Sequence, residues 1–229
     1  MGRAVLSGDP PVEITLRPSG RARRISLRVS ALDGRVTLSL PMGTDPAEAL
    51  AFAEEKSDWI RGHLAGRHDP MRPEIGGSLL YRGQELPVVA GPVRRAVLQG
   101  GRLTVPAIGL AAPRIKAFLK LEARAATREA SERHAQTLGR GFGKITLRDT
   151  RSRWGSCNHR GDLMYSWRLI MAPPDVLDYV AAHEVAHLGE MNHSPAYWRI
   201  VERLCPDYRI PRGWLRRNGA LLHRYRFDD

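Results

Sequence analysis

Residues Tyr179–Trp198, YVAAHEVAHLGEMNHSPAYW, set three histidines and two glutamates beside an apolar run. Within this stretch, His183-Glu184-Val185-Ala186-His187 fits the pattern HExxH. The preceding DVLDYVAA contains no glycine or proline, so the spacing predicts a helix. Side chains four apart on a helix share a face, which brings both imidazoles within reach of one metal ion. Glu184, about 100° further round, can reach a water beside that ion. Val180, Ala181, Ala182, Val185, Ala186 and Leu188 mark the helix as mostly buried. Two histidines and a carboxylate buried without partners would be costly, and a metal removes that difficulty.

A catalytic zinc takes three protein ligands and keeps a fourth position open for water. Gly189 suits a helix end in the left-handed conformation, after which Glu190, Met191 and Asn192 can bring the chain back to His193. The resulting HExxHxxxxxH has the ligand spacing of metzincin proteases. However, the glycine falls one position early and no methionine follows Met191. The rival third ligand is Glu202 on the next helical stretch, with Glu190 closer to the helix end. His193 is the preferred reading.

The composition frames this motif. A chain of 229 residues, 42% hydrophobic and 26% charged, can bury a core without disulfides or a structural metal, so a metal here is expected to serve chemistry. The net charge of +12 favours acidic surfaces or polyanions and makes nucleic acid a candidate partner. Against this, the arginines are dispersed, with short clusters only near Arg17–Arg24 and Arg212–Arg217, and no RNA-binding signature stands out. Cys157 and Cys205 form no CxxC pair, which suits a reducing compartment. The first residues, MGRAVLSGDPPVEITL, lack the apolar centre of a signal peptide. No apolar run approaches the roughly 18 residues of a membrane helix. A cytoplasmic protein without a membrane partner is expected.

Along the chain, residues 1–108 read as a β-rich N-terminal region with one helix. VEITLRP, RRISLRVS and RVTLSLP alternate apolar and polar residues, and Leu32-Asp33-Gly34 predicts a hairpin turn. Asp45-Pro46 opens the helical DPAEALAFAEEKSDWIRGHLAG, with Leu50, Ala53, Trp59, Ile60 and Leu64 as its buried stripe. SLLYRG, LPVVAG and RLTVPA are further strands, with a turn at Gly100-Gly101. Residues 109–229 change character. They open with a long amphipathic helix bearing Ile115, Phe118, Leu119 and Leu121 and closing at Gly139–Gly143. Strand-like KITLRD, RSRWGSC and DLMYSWRLI follow, then the HExxH helix from Pro173-Pro174-Asp175. Two helical stretches near Pro195–Leu204 and Pro211–Arg224 finish the chain.

Residues 151–209 resemble the core of the YgjP-like metallopeptidase family, relatives of the SprT-like zinc proteases. The resemblance lies in RWGSC at Arg153–Cys157, WRLI at Trp167–Ile170, the approach from Pro174 to Val180, the run from His183 through NHS to Trp198, and the later CPDY. Tyr197 stands where Phe is usual and Val185 where Leu is common. The resemblance implies an α+β fold: a zincin-like metallopeptidase domain with a mixed sheet and the HExxH helix, preceded by the β-rich region. It also implies that His183, His187 and His193 hold Zn2+ and that Glu184 is the general base of a peptidase acting on protein or peptide substrates. Tyr197, Tyr165 and Arg153 are candidate contacts to the oxyanion or substrate. Cys157 reads as a small buried hydrophobe. An extended substrate could pair with DLMYSWRLI or the strand before it. The alternatives are a basic, nucleic-acid-associated binding protein whose zinc site is structural or catalytically silent, and hydrolysis of a non-peptide amide.

Overall fold

The computed structural model describes residues 2–30, 34–65 and 69–227. Contacts divide the chain into two compact units, Met1–Asp69 and Pro70–Asp229.

In the first unit, β1 (Gly2–Leu6), β2 (Val12–Pro18), β3 (Ser26–Val29) and β4 (Val36–Leu40) form a mixed sheet in the order β1-β2-β4-β3. Strand alternation buries Val12, Ile14 and Leu16 of β2 and Val36, Leu38 and Leu40 of β4. β3 and β4 are antiparallel, as a hairpin requires, and Gly34 has a φ of 69°. Leu32 and Asp33 of the expected turn lie outside the described residues. β1 was not legible, because GRAVL lacks a clear alternation.

The stretch expected to be one helix is two, α1 (Pro46–Glu55) and α2 (Ser57–Ala65), parted at Lys56. Asp45 caps the first by accepting from Ala47 N at 2.8 Å. The buried residues are Ala49, Ala53 and Ile60, while Trp59 remains 46% exposed. Trp59 lies about 100° round α2 from Ile60, the buried residue of that helix, and so falls off the stripe.

The second unit begins with β5 (Ser78–Tyr81), β6 (Gln84–Gly91), β7 (Val97–Gln99) and β8 (Arg102–Pro106), ordered β5-β6-β8-β7. Gly100 and Gly101, at φ 54° and 72°, make the expected turn between β7 and β8. Helix α3 (Ala111–Leu138) buries Ile115, Phe118 and Leu119 and ends at left-handed Gly139, but Leu121 is 57% exposed. A second mixed sheet, β10-β11-β9, is built from β9 (Ile145–Arg148), β10 (Gly155–Cys157) and β11 (Leu163–Ser166). Helices α4 (Pro174–Ala186), α5 (Pro195–Leu204) and α6 (Arg209–Leu222) complete the unit. Among the described residues no helix is long and apolar enough to cross a membrane.

A further expectation needs correction. The segment read as a strand through Ile170 stops at Ser166, and Trp167–Met171 forms a 3₁₀ turn with all five residues buried. A run buried all round shows no period that separates strand from helix. Within it, Arg168 clamps Asp149 with two hydrogen bonds (2.6 and 3.1 Å) and donates to the carbonyls of Leu222 and Tyr225.

Residue 108, where the sequence suggests a boundary, lies inside the second compact unit, which begins at Pro70. Leu79, Leu86, Val88, Leu103 and Val105 of the β5–β8 sheet share one core with Ile115, Phe118 and Leu119 of α3. Arg82 N and Gly83 N also donate to the carbonyls of Ile170 and Met171. The molecule is thus an α+β fold, with a β-rich first unit and a second unit that carries the HExxH helix.

Candidate active site

Helix α4 starts with Pro174 in its first turn, where a missing N–H costs nothing, and Asp175 beside the positive helix end. Val176, Leu177, Val180, Ala181, Ala182, Val185 and Ala186 are all buried, so packing holds its last turn rigid. That turn carries His183 and Glu184, and His187 caps it. Leu188 N, Gly189 N and Glu190 N then bond back to Val185 and Ala186 carbonyls. Gly189 is not left-handed, contrary to the sequence reading. A Cβ there would come within 3.0 Å of Ile200 Cδ1, so close packing against α5 explains the glycine.

The loop returns His193 just before α5, which Ser194 caps by accepting from Tyr197 N at 3.3 Å. The imidazoles of His183, His187 and His193 converge, with one potential ligand atom from each lying within 4.8 Å of the others. His193 Nε2 and His183 Nε2 are 3.2 Å apart. Zn–N bonds of about 2.0–2.1 Å arranged tetrahedrally place neighbouring ligand atoms about 3.3 Å apart, close to this spacing. His187 Nδ1–H donates to Glu190 O at 3.1 Å, which leaves its Nε2 lone pair for a metal. His183 Nδ1 is buried with no hydrogen-bond partner among the described residues.

Burial favours the neutral form of His183 and His187, the form that ligates metal. Burial pushes His183 down to about 3, helped by His187, His193 and Arg212. Burial lowers His187 as well, against the opposing hydrogen bond to Glu190. His193 is exposed and His187 only 8% exposed, so the cluster is walled on one side and open on the other. The donor set and this opening fit zinc with a free position.

Glu184 is 4% exposed, and its carboxyl is pushed up to about 8 by burial, with Arg153 opposing. A cation in the imidazole cluster reverses that balance and favours carboxylate. Gly155 of β10 lies against this side chain. A Cβ added there would sit 2.6 Å from Glu184 Cγ and 2.8 Å from Cδ, and closer still to Oε1. The glycine of RWGSC therefore makes room for the carboxylate.

The remaining candidates sort differently. Arg153 is exposed, and its charge acts on Glu184. Tyr165 is fully buried, with its hydroxyl hydrogen-bonded to Ser131 Oγ at 2.9 Å. Tyr197 donates its hydroxyl to His183 O at 3.0 Å, and its ring stacks on His187 at 4.6 Å between centroids. Glu202 is exposed and outside the cluster, while Glu190 accepts from Asn192 N within the loop. Cys157 is half-buried, and burial, then Glu184 and Asp162, push its thiol up to about 11, so it stays protonated.

Sequence reasoning missed two neighbours, Gly155 and Arg212. The Arg212 guanidinium lies 4.6 Å over the Trp198 ring, which is itself 6.0 Å from the ring of His183. The arginine cluster of α6 was visible in the sequence, but no spacing ties it to the histidines.

Several comparisons bear on this arrangement. The family model described as YgjP-like, metallopeptidase domain, matches residues 23–218. The crystal structure of the metallopeptidase zymogen of Pyrococcus abyssi abylysin aligns at 22% identity and a TM-score of 0.37, covering 42% of this chain and 94% of that one. No curated protein was found to match the chain. Since the family match takes in most of the sequence, including every residue of the imidazole cluster and the strand against Glu184, the chain belongs to the YgjP-like metallopeptidase family.

Proposed function

We propose that the protein is a zinc-dependent peptidase in which His183, His187 and His193 hold the ion and Glu184 is the general base. One observation carries this reading. His193 Nε2 comes to 3.2 Å from His183 Nε2 across ten residues of chain, beside a carboxylate that is 4% exposed. Membership of a metallopeptidase family supports a metal ion and a protein or peptide substrate.

Zinc in such a site supplies Lewis acidity, acidifying water and polarising a carbonyl. Glu184 accepts the proton of the attacking water as the new C–O bond forms. It then delivers that proton to the leaving amine as the C–N bond breaks. Arg153, exposed and close enough to act on Glu184, is the side chain we assign to the substrate or the developing oxyanion. Tyr197 is given a positioning role, because its hydroxyl is engaged by the His183 carbonyl. Tyr165 is engaged by Ser131 and is assigned to the core. Among the described residues β10 has one strand neighbour, so its free edge suits pairing with an extended substrate.

The test compares wild type with Glu184→Gln for bound zinc, by mass spectrometry, and for hydrolysis of an unfolded protein. The variant should retain zinc and lose cleavage by roughly 10²–10⁴-fold. Equal cleavage would remove Glu184 from the chemistry, and a wild type that binds zinc without cleaving would leave a silent metal site.

A further inference from the structure

The sheet beside the candidate site has two faces. On one, Gly155 abuts Glu184 and the rows Gly155–Tyr165–Leu147 and Cys157–Leu163–Ile145 point towards the core. Alternation turns the row between them, Ser156–Met164–Thr146, to the opposite face. That row lines a groove of about 590 Å³, together with Lys144, Arg148 and Arg153. These three cations are exposed and form no ion pair among the described residues. The one acidic lining residue, Asp162, already accepts from Lys144 N and from Asn158 Nδ2.

The geometry points to an extended, acidic polypeptide as the occupant: we propose that a chain paired along the free edge of β10 places acidic side chains in this groove, so that the enzyme prefers acidic segments. The proposal rests on the peptidase reading and names its substrate class. Beyond Ser156, the next place in the cross-strand row belongs to whatever strand pairs with β10. An alternate side chain of that strand therefore stands on the groove face. Carboxylates there lie on the side of Arg153 and the Ser156 hydroxyl and feel the field of Arg148 and Lys144 across the groove. Nucleic acid is the weaker fit, since no aromatic side chain among the described residues lines the groove to stack a base.

The experiment uses the full, zinc-loaded chain carrying Glu184→Gln, so that binding is read without turnover. Three fluorescent probes are compared: an extended peptide with Glu at alternate positions, the same peptide with Gln, and a single-stranded oligonucleotide. The Glu peptide should bind about tenfold tighter than the Gln peptide, and added salt should shrink the gap. Adding Lys144→Glu and Arg148→Glu, both at exposed positions, should abolish the difference, with circular dichroism reporting the fold. Arg148→Gln alone should fall between the two. Equal binding of the two peptides, or a preference that survives charge reversal, overturns the proposal. Oligonucleotide binding tighter than the Glu peptide, and lost in the same variants, also overturns it by giving the groove to nucleic acid. Cleavage of the Gln peptide by wild type tests the peptidase reading separately, so a protein that cleaves without any Glu preference loses only this inference.

Discussion

At Gly155 the side chain is missing because Glu184 occupies its place. Alanine there would put a Cβ 2.6 Å from Glu184 Cγ, in a buried setting where neighbours yield little. Gly155→Ala is therefore expected to displace the carboxylate, costing about 1–3 kcal/mol of stability by overpacking. Cleavage should fall at least about tenfold while bound zinc persists, because none of the three histidines is touched. Metal content and initial rates on one preparation check both. Tyr197→Phe separates two roles for that tyrosine. As a positioning residue it loses one hydrogen bond, worth about 1 kcal/mol, and leaves kcat within a few-fold. Were its hydroxyl an oxyanion donor, kcat would fall roughly 10²–10³-fold. His183, Glu184 and His187 were legible because one helical period places them. His193 was legible as a preference over Glu202, its position fixed by the loop that follows α4. Gly155 and Arg212 reach the site from other elements, and no local spacing encodes such a meeting.

At the scale of elements, the angle at which α4 presents its histidines depends on its packing against α3. His134 Nε2 and the Arg133 guanidinium both donate to Asp178 Oδ1, one turn and a half before His183. Burial alone would raise the Asp178 carboxyl, but the hydrogen bonds and charges of His134 and Arg133 outweigh it and hold the group below its ordinary value. A depressed folded pKa contributes stability above the unfolded value, about 3.9, and loses it as pH falls through the folded one. Asp178→Asn should therefore cost about 1–2 kcal/mol at neutral pH, and the gap to wild type should close below about pH 4. Thermal melts of both proteins across that range decide it, and a gap that does not depend on pH would remove the ion pair as its cause. Helix α3 and its glycine stop were plain in the sequence from period and punctuation. The 3₁₀ turn at Trp167–Met171 was not, since its form is set by burial on every side and by the Arg168–Asp149 clamp.

At the scale of the molecule, the informative fact is that among the described residues the two hydrophobic cores share no residue. One runs from Leu6 to Ile60, the other from Leu79 to Phe227. The sequence suggested a boundary near 108 because strands give way to helix there, but a change of secondary structure does not mark a change of core. The β5–β8 sheet buries its apolar face with α3 and the segment around Trp167, so cutting at 108 would divide a single core. Separate cores predict separate folding units. A fragment spanning residues 70–229 should therefore melt cooperatively and bind zinc at one equivalent, since all three histidines and Glu184 lie within it. A fragment beginning at residue 109 should not, because it leaves Ile115, Phe118 and Leu119 without the sheet they pack on. Calorimetry and zinc titration of the two fragments make the comparison. If the shorter fragment folds and binds zinc as well as the longer one, the β5–β8 sheet is dispensable to the core, and the division at Asp69 does not describe how the chain folds.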